Sequence, residues 1–208
     1  MTDSASFLDT VRRALSRRDD QPRPAILVPR AMLARDAEID KLIEEINMLS
    51  GSARRIGENE FDAALRQLVE VEQIKKATLW ATPQIAEWRI AERLRALGVE
   101  IIPHDADKHT LAQADLGITE ADFALADTGT LGLLASPEKP RATSLLPRAH
   151  LAIVRPAALR ADLHQVFAEA KSRGYLVFIT GPSRTADIEL TLTLGVHGPK
   201  SLFVWIVE

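Results

Sequence analysis

The sequence predicts an α/β fold, an open, mostly parallel sheet with helices on both faces. Three observations predict it. Apolar runs at 77–81, 99–102, 151–154, 175–180 and 201–207 have the length of buried strands. Amphipathic stretches with a 3.6-residue period alternate with them, the order that builds parallel sheets. The chain has 208 residues, 46% of them hydrophobic, enough for one sizeable core. In such sheets ligands sit outside the carboxyl ends of the strands.

The elements follow in order. Residues 4–18 place Phe7, Leu8, Val11, Ala14 and Leu15 on one helical stripe, with Arg12, Arg13, Arg17 and Arg18 opposite. Pro22, Pro24 and Pro29 then break the periodicity, so 1–30 reads as a helical arm with a Pro-containing linker and 31–208 as the α/β domain. The arm is free to pack on the core or on a second copy of the chain. Ile39, Leu42, Ile43, Ile46 and Leu49 predict one helix, and Phe61, Leu65, Leu68 and Val69 a second that leads into the 77–81 strand. Thr82 and Pro83 supply an N-cap and first-turn pair for a helix to Leu97, which Gly98 closes before the 99–102 strand. Residues 123–126 and 131–135 flank a tight turn as short strands. A strand at 151–154, a helix at 156–171, a strand at 175–180, a helix to Leu194 and a strand at 201–207 complete the series.

Composition excludes several function classes. With no cysteine, the chain offers no disulfide, thiol nucleophile, thiolate zinc site or cysteine-held iron–sulfur cluster. A formal net charge of −3 gives no global attraction to nucleic acid or anionic lipid. No apolar run approaches the roughly 20 residues of a membrane-spanning helix, and the mixed charges of the N-terminus do not read as a signal peptide. The expected location is the cytoplasm. Gly-x-Gly-x-x-Gly, Walker and Gly-x-Ser-x-Gly patterns are absent. His104, Asp105, Asp107 and His109 are metal-ligand types at a spacing that matches no recognised zinc pattern, so no metal is expected. Trp80, Trp88 and Trp205 fall in apolar or amphipathic segments and read as packing residues.

Three clusters carry candidate chemistry. In the first, Thr180, Gly181, Pro182, Ser183, Arg184 and Thr185 stop a strand abruptly ahead of Asp187 and Glu189. A helix starting there, capped by Ser183 or Thr185, would offer free N–H groups and a guanidinium fork to a carboxylate or phosphate. The same spacing fits an ordinary capped helix with a solvated arginine. In the second, His197 stands between Gly195 and Gly198, where backbone can approach a ligand and an imidazole can move protons, or where a turn histidine is simply structural. In the third, Asp127, Thr128, Gly129 and Thr130 precede Arg141 and His150, a set of hydroxyls and cations that suits an oxyanion or, equally, a hairpin turn. Asp127 beside a strand end is a candidate base or nucleophile.

In order, Gly-Ile-Thr at 117–119, Ala-Asp-Phe-Ala at 121–124, Ala-Asp-Thr-Gly-Thr at 126–130, Ser-Leu-Leu-Pro at 144–147 with His150, the run 180–189 and Gly-Val-His-Gly-Pro at 195–199 resemble the LUD domain family, of the lactate utilization C type. The resemblance spans about residues 35 to 208. It implies a fold similar to ribose-phosphate isomerases, glucosamine-phosphate deaminases and CoA transferases. It also implies an accessory, non-catalytic or partial component of L-lactate oxidation to pyruvate, with iron–sulfur clusters only on partner subunits. On this reading Asp127, Glu189 and His197 are the candidate catalytic residues. Thr128, Gly129, Thr130, Arg141, His150, Thr180, Gly181, Ser183, Arg184, Thr185 and Gly198 are the candidate ligand-binding residues. The alternative is a CoA-transferase-like or sugar-phosphate-isomerase-like enzyme using Asp127 or Glu189. Where the family commonly has Glu before Thr-Gly-Thr, this chain has Asp127, whose carboxyl reaches about 1.5 Å less far.

Overall fold

In a computed structural model of the chain, the described residues are 4–15, 31–171, 174–185 and 193–207. The expected linker, and Asp187 and Glu189, lie outside them. In chain order the elements are α1 (Ser4–Ala14), α2 (Arg35–Met48), β1 (Ser52–Ile56), α3 (Phe61–Val71), β2 (Lys76–Leu79), α4 (Pro83–Glu87), α5 (Ile90–Ala96), β3 (Glu100–Ile102), α6 (Lys108–Leu111), β4 (Leu116–Glu120), β5 (Phe123–Leu125), β6 (Thr130–Leu134), α7 (Ala142–Leu145), β7 (Ala149–Val154), β8 (Leu159–Arg160), α8 (Leu163–Ala170), β9 (Leu176–Ile179), β10 (Arg184–Thr185), β11 (Thr193–Leu194) and β12 (Ser201–Val207).

Six strands form one sheet in the order β1-β12-β7-β4-β2-β3, and every pairing in it is parallel. All six residues of β7 are buried, so both faces of the sheet are covered there, as an apolar run with no alternation demands. On β12 the Trp205 ring meets Phe61 of α3 edge-on at 5.3 Å, and Phe61 also packs on Trp88 at 4.7 Å. The expected open α/β architecture is therefore present.

Several elements differ from the expectation, each for a local reason. The helix expected from Thr82 to Leu97 is two helices, because Arg89 takes a left-handed conformation with φ 49°. Ile85 and Trp88 lie three apart on one stripe, and Ile90 would fall off it in a continuous helix. The left-handed residue resets the phase and buries Ile90 and Leu94. The helix expected at 156–171 begins only at α8, where the Asp162 carboxylate accepts the Gln165 amide at 3.1 Å as an N-cap. Before it, Pro156–Ala158 make a single 3-10 turn and Leu159 and Arg160 form β8.

Strand β9, expected in the main sheet, belongs to a second sheet of order β8-β5-β6-β9, in which it runs antiparallel to β6. Strands β5 and β6 form the expected hairpin across residues 126–129. The helix expected to start at Ser183 or Thr185 does not begin there. Arg184 and Thr185 form β10, antiparallel to β11, and the Ser183 amide donates to the Pro199 carbonyl at 3.0 Å. The helix-terminus argument for anion binding at this loop falls with it.

Candidate functional site

The second sheet carries the site. Thr180 and Gly181 follow strand β9, whose carboxyl end meets the amino ends of β7 and β12 around a cavity of ≈ 180 Å³. Gly181 makes the turn possible: its φ is 81°, and a Cβ there would lie 2.8 Å from the Leu49 carbonyl oxygen. The cavity therefore sits at the amino edge of the parallel sheet, not at the carboxyl edge where such sheets usually hold ligands.

The structure brings together residues from all three sequence clusters. His150, Thr180, Gly181, Ser183, His197 and Gly198 line the cavity, with Ser144 and Leu202. The Thr130 hydroxyl lies 2.8 Å from that of Thr180, and Thr128 donates to Thr130 at 2.8 Å, so the β5–β6 turn joins the rim through a ladder of hydroxyls. Arg184 donates to the Thr180 carbonyl at 3.2 Å. Gly129, with φ 59°, lets this turn lie against α2, where a Cβ would come within 2.9 Å of the Ile46 amide nitrogen.

Other candidates stand apart. Asp127 is ion-paired with Lys41 of α2, and neither lines the cavity. The Arg141 guanidinium stacks 4.2 Å from the Tyr175 ring centroid, so its charge is spent on an aromatic face rather than on the cavity. Thr185 is taken up in the pairing with Thr193. Asp107 caps α6 by accepting the His109 amide at 2.9 Å, and among the described residues no group of three or more His, Asp or Glu side chains is placed to hold a metal.

His150 is the distinctive group. It is 1% exposed, and burial pushes its pKa down to about 4, so the imidazole is neutral at physiological pH. Its Nε2 lies 2.9 Å from the Thr119 hydroxyl, and its Nδ1 has no hydrogen-bond partner. A neutral imidazole keeps one donor and one acceptor nitrogen, and the hydroxyl satisfies either at Nε2. That leaves Nδ1 as a buried polar atom without a partner, on a side chain that lines the cavity. Sequence reading placed Thr119 and Ser144 in family-like blocks but not among the site residues, and gave Lys41 and Leu202 no part in this region. Asp127 and Lys41 are 86 residues apart, and no local pattern announces such a pair.

Comparison with known proteins finds relatives over most of the chain. Residues 38–207 match the LUD domain family. Lactate utilization protein C of Shouchella clausii (strain KSM-K16) is 31% identical over 221 residues, covering 98% of this chain and 96% of that protein. Lactate utilization protein C of Halalkalibacterium halodurans is 29% identical over 184 residues, covering 83% and 80% respectively. The crystal structure of a DUF162 family protein from Deinococcus radiodurans superposes with a TM-score of 0.64 at 19% identity, covering 85% of this chain and all of that one, a likeness of fold. With a family match over most of its length and a relative of nearly equal extent, this chain belongs to the LUD domain family.

Proposed function

We propose that the chain serves lactate utilization by holding a small 2-hydroxy or 2-oxo carboxylate, lactate or pyruvate, in the amino-edge cavity. The observation that carries this reading is the buried His150 with its unpartnered Nδ1. An unpaired buried polar atom costs roughly 1–3 kcal/mol, which a ligand oxygen or hydroxyl at Nδ1 removes. The cavity, at ≈ 180 Å³, is smaller than the roughly 300–1,000 Å³ of drug-sized pockets and so favours a ligand of few heavy atoms. The Thr180 and Ser183 hydroxyls supply further hydrogen bonds, and Arg184 at the Thr180 carbonyl places positive charge at the rim.

Oxidising lactate to pyruvate releases two electrons. The chain has no cysteine to hold an iron–sulfur cluster, and the partners proposed to receive them are the iron–sulfur subunits that the family resemblance implies, with the cytoplasm as the proposed location. No helix among the described residues is long and apolar enough to cross a membrane. The Asp127–Lys41 ion pair gives no support to Asp127 as a nucleophile or base. The test is calorimetric titration of the purified chain with L-lactate and with pyruvate. Saturable binding, weakened at least tenfold by His150→Gln, supports the proposal; no binding by the folded wild type up to 10-fold above physiological lactate overturns it.

A further inference from the structure

The opposite edge of the sheet holds a larger cleft. Beyond the carboxyl ends of β1, β7 and β12 lies a space of ≈ 790 Å³ lined by Arg35, Glu58, Glu87, Trp88, Arg93 and Arg155, among others. Its size is within the roughly 300–1,000 Å³ of small-molecule sites, and its position is where open parallel sheets hold their ligands.

The lining has three kinds of chemistry. Arg155 is steadied by Glu87 at 2.6 Å and Arg93 by Asp62 at 2.5 Å, while Arg35 forms no ion pair among the described residues. A guanidinium has five N–H donors, so one ion pair orients the fork and leaves other donors for an anion. Glu58 and Glu87 offer carboxylate acceptors. Trp88 is half-buried and packs on Phe61, whereas Trp80 and Trp205 are each 2% exposed. It is therefore the tryptophan with ring surface open to a ligand.

The charges decide between ligand classes. Three arginines face Asp36, Glu58 and Glu87 in the same lining, a formal balance that does not favour a bare polyanion. A lining that mixes guanidinium, carboxylate and indole groups suits a molecule that combines an anionic group, hydroxyl donors and a flat ring. We propose that this cleft is a ribonucleotide site, with phosphate on the arginines, ribose hydroxyls on Glu58 and Glu87, and the base against Trp88.

Trp88 also provides the readout. Titration with ADP is expected to shield tryptophan fluorescence from acrylamide saturably, and Trp88→Phe to remove that signal while calorimetry still detects ADP. Arg155→Ala and the exposed Glu58→Gln are each expected to weaken ADP binding at least tenfold. Adenosine and inorganic phosphate, each carrying part of the chemistry, are expected to bind at least tenfold more weakly than ADP. The proposal is overturned if folded wild-type protein shows no ADP-dependent protection at millimolar ADP, if phosphate binds as tightly as ADP, or if Arg155→Ala leaves ADP affinity unchanged. Lactate binding at the other edge is read separately, so either reading can fail alone.

Discussion

At the amino end of β7, His150 sits among hydroxyls in a small cavity; at the carboxyl end of the neighbouring β4, Glu120 sits near Lys139, Asp122 and Arg155 beside an open, ion-rich cleft. Burial pushes the histidine pKa down to about 4 and the glutamate pKa above the ordinary carboxylate range. Both groups are thus driven toward neutrality by the same cause, yet the linkage to pH has opposite sign because one gains charge with a proton and the other loses it. The small cavity is lined by hydroxyl and imidazole groups with no Asp, Glu, Lys or Arg side chain, and the open cleft keeps its ions because water still screens them.

The largest test is at His150. Its pKa in the folded protein, about 4, lies below the ordinary 6.5, so between those values the unfolded chain binds the extra proton. Stability is then complete above pH 6.5 and falls as pH drops toward 4, by about 3 kcal/mol from this group. Urea unfolding across that window is expected to show this loss in the wild type and a flatter profile in His150→Gln. Equal slopes in the two proteins would mean that the imidazole is not kept neutral by the fold. Next in size is Gly181→Val, which places a β-branched side chain at positive φ against the Leu49 carbonyl. We expect a loss of about 2–3 kcal/mol in urea unfolding and weaker lactate binding, since the turn shapes the cavity.

How much of this was legible in the sequence depended on whether the deciding contact was local. The Ala-His-Leu-Ala-Ile-Val run of β7 announces a buried strand by itself. Strand β1, Ser-Ala-Arg-Arg-Ile, was not anticipated because an edge strand tolerates charges and pairs only with β12. The break at Arg89 follows from the phase of Trp88 and Ile90 against the core, which helix propensity does not encode. Thr180, Ser183 and His197 could be singled out from glycine-rich loops. Their meeting with His150 depends on β9 leaving the main sheet, and Thr119, its hydrogen-bond partner, is 31 residues away.

The hydroxyl ladder gives a smaller effect that still separates the two edges. Thr130 is 7% exposed and joins Thr128 to Thr180. Thr130→Val removes both links and is expected to cost about 1 kcal/mol in unfolding free energy. Lactate affinity should fall a few-fold as Thr180 loses its partner, while ADP affinity stays as it was. A parallel fall in both affinities would show that the edges are not independent.

The smallest expected change is at Glu120, and its sign is what matters. The carboxyl pKa is raised chiefly by burial, against which the nearby Lys139 acts most strongly; Asp122 adds to the rise, and Arg155 and a hydrogen bond with Thr82 oppose it. Because the folded protein holds this proton more tightly than the unfolded chain, it binds more protons above the ordinary carboxylate pKa. The stabilising contribution is present at acid pH and is lost as pH rises through the folded value, leaving a penalty at neutral pH. Glu120→Gln removes the titration while keeping the shape. It is therefore expected to raise the urea midpoint at pH 7 and to leave it nearly unchanged at pH 4, opposite in sense to the pH dependence set by His150. A variant less stable than wild type at pH 7 would mean that the ionised carboxylate is held by its cationic neighbours strongly enough to outweigh its burial, and the contrast between the two edges would lose its electrostatic basis.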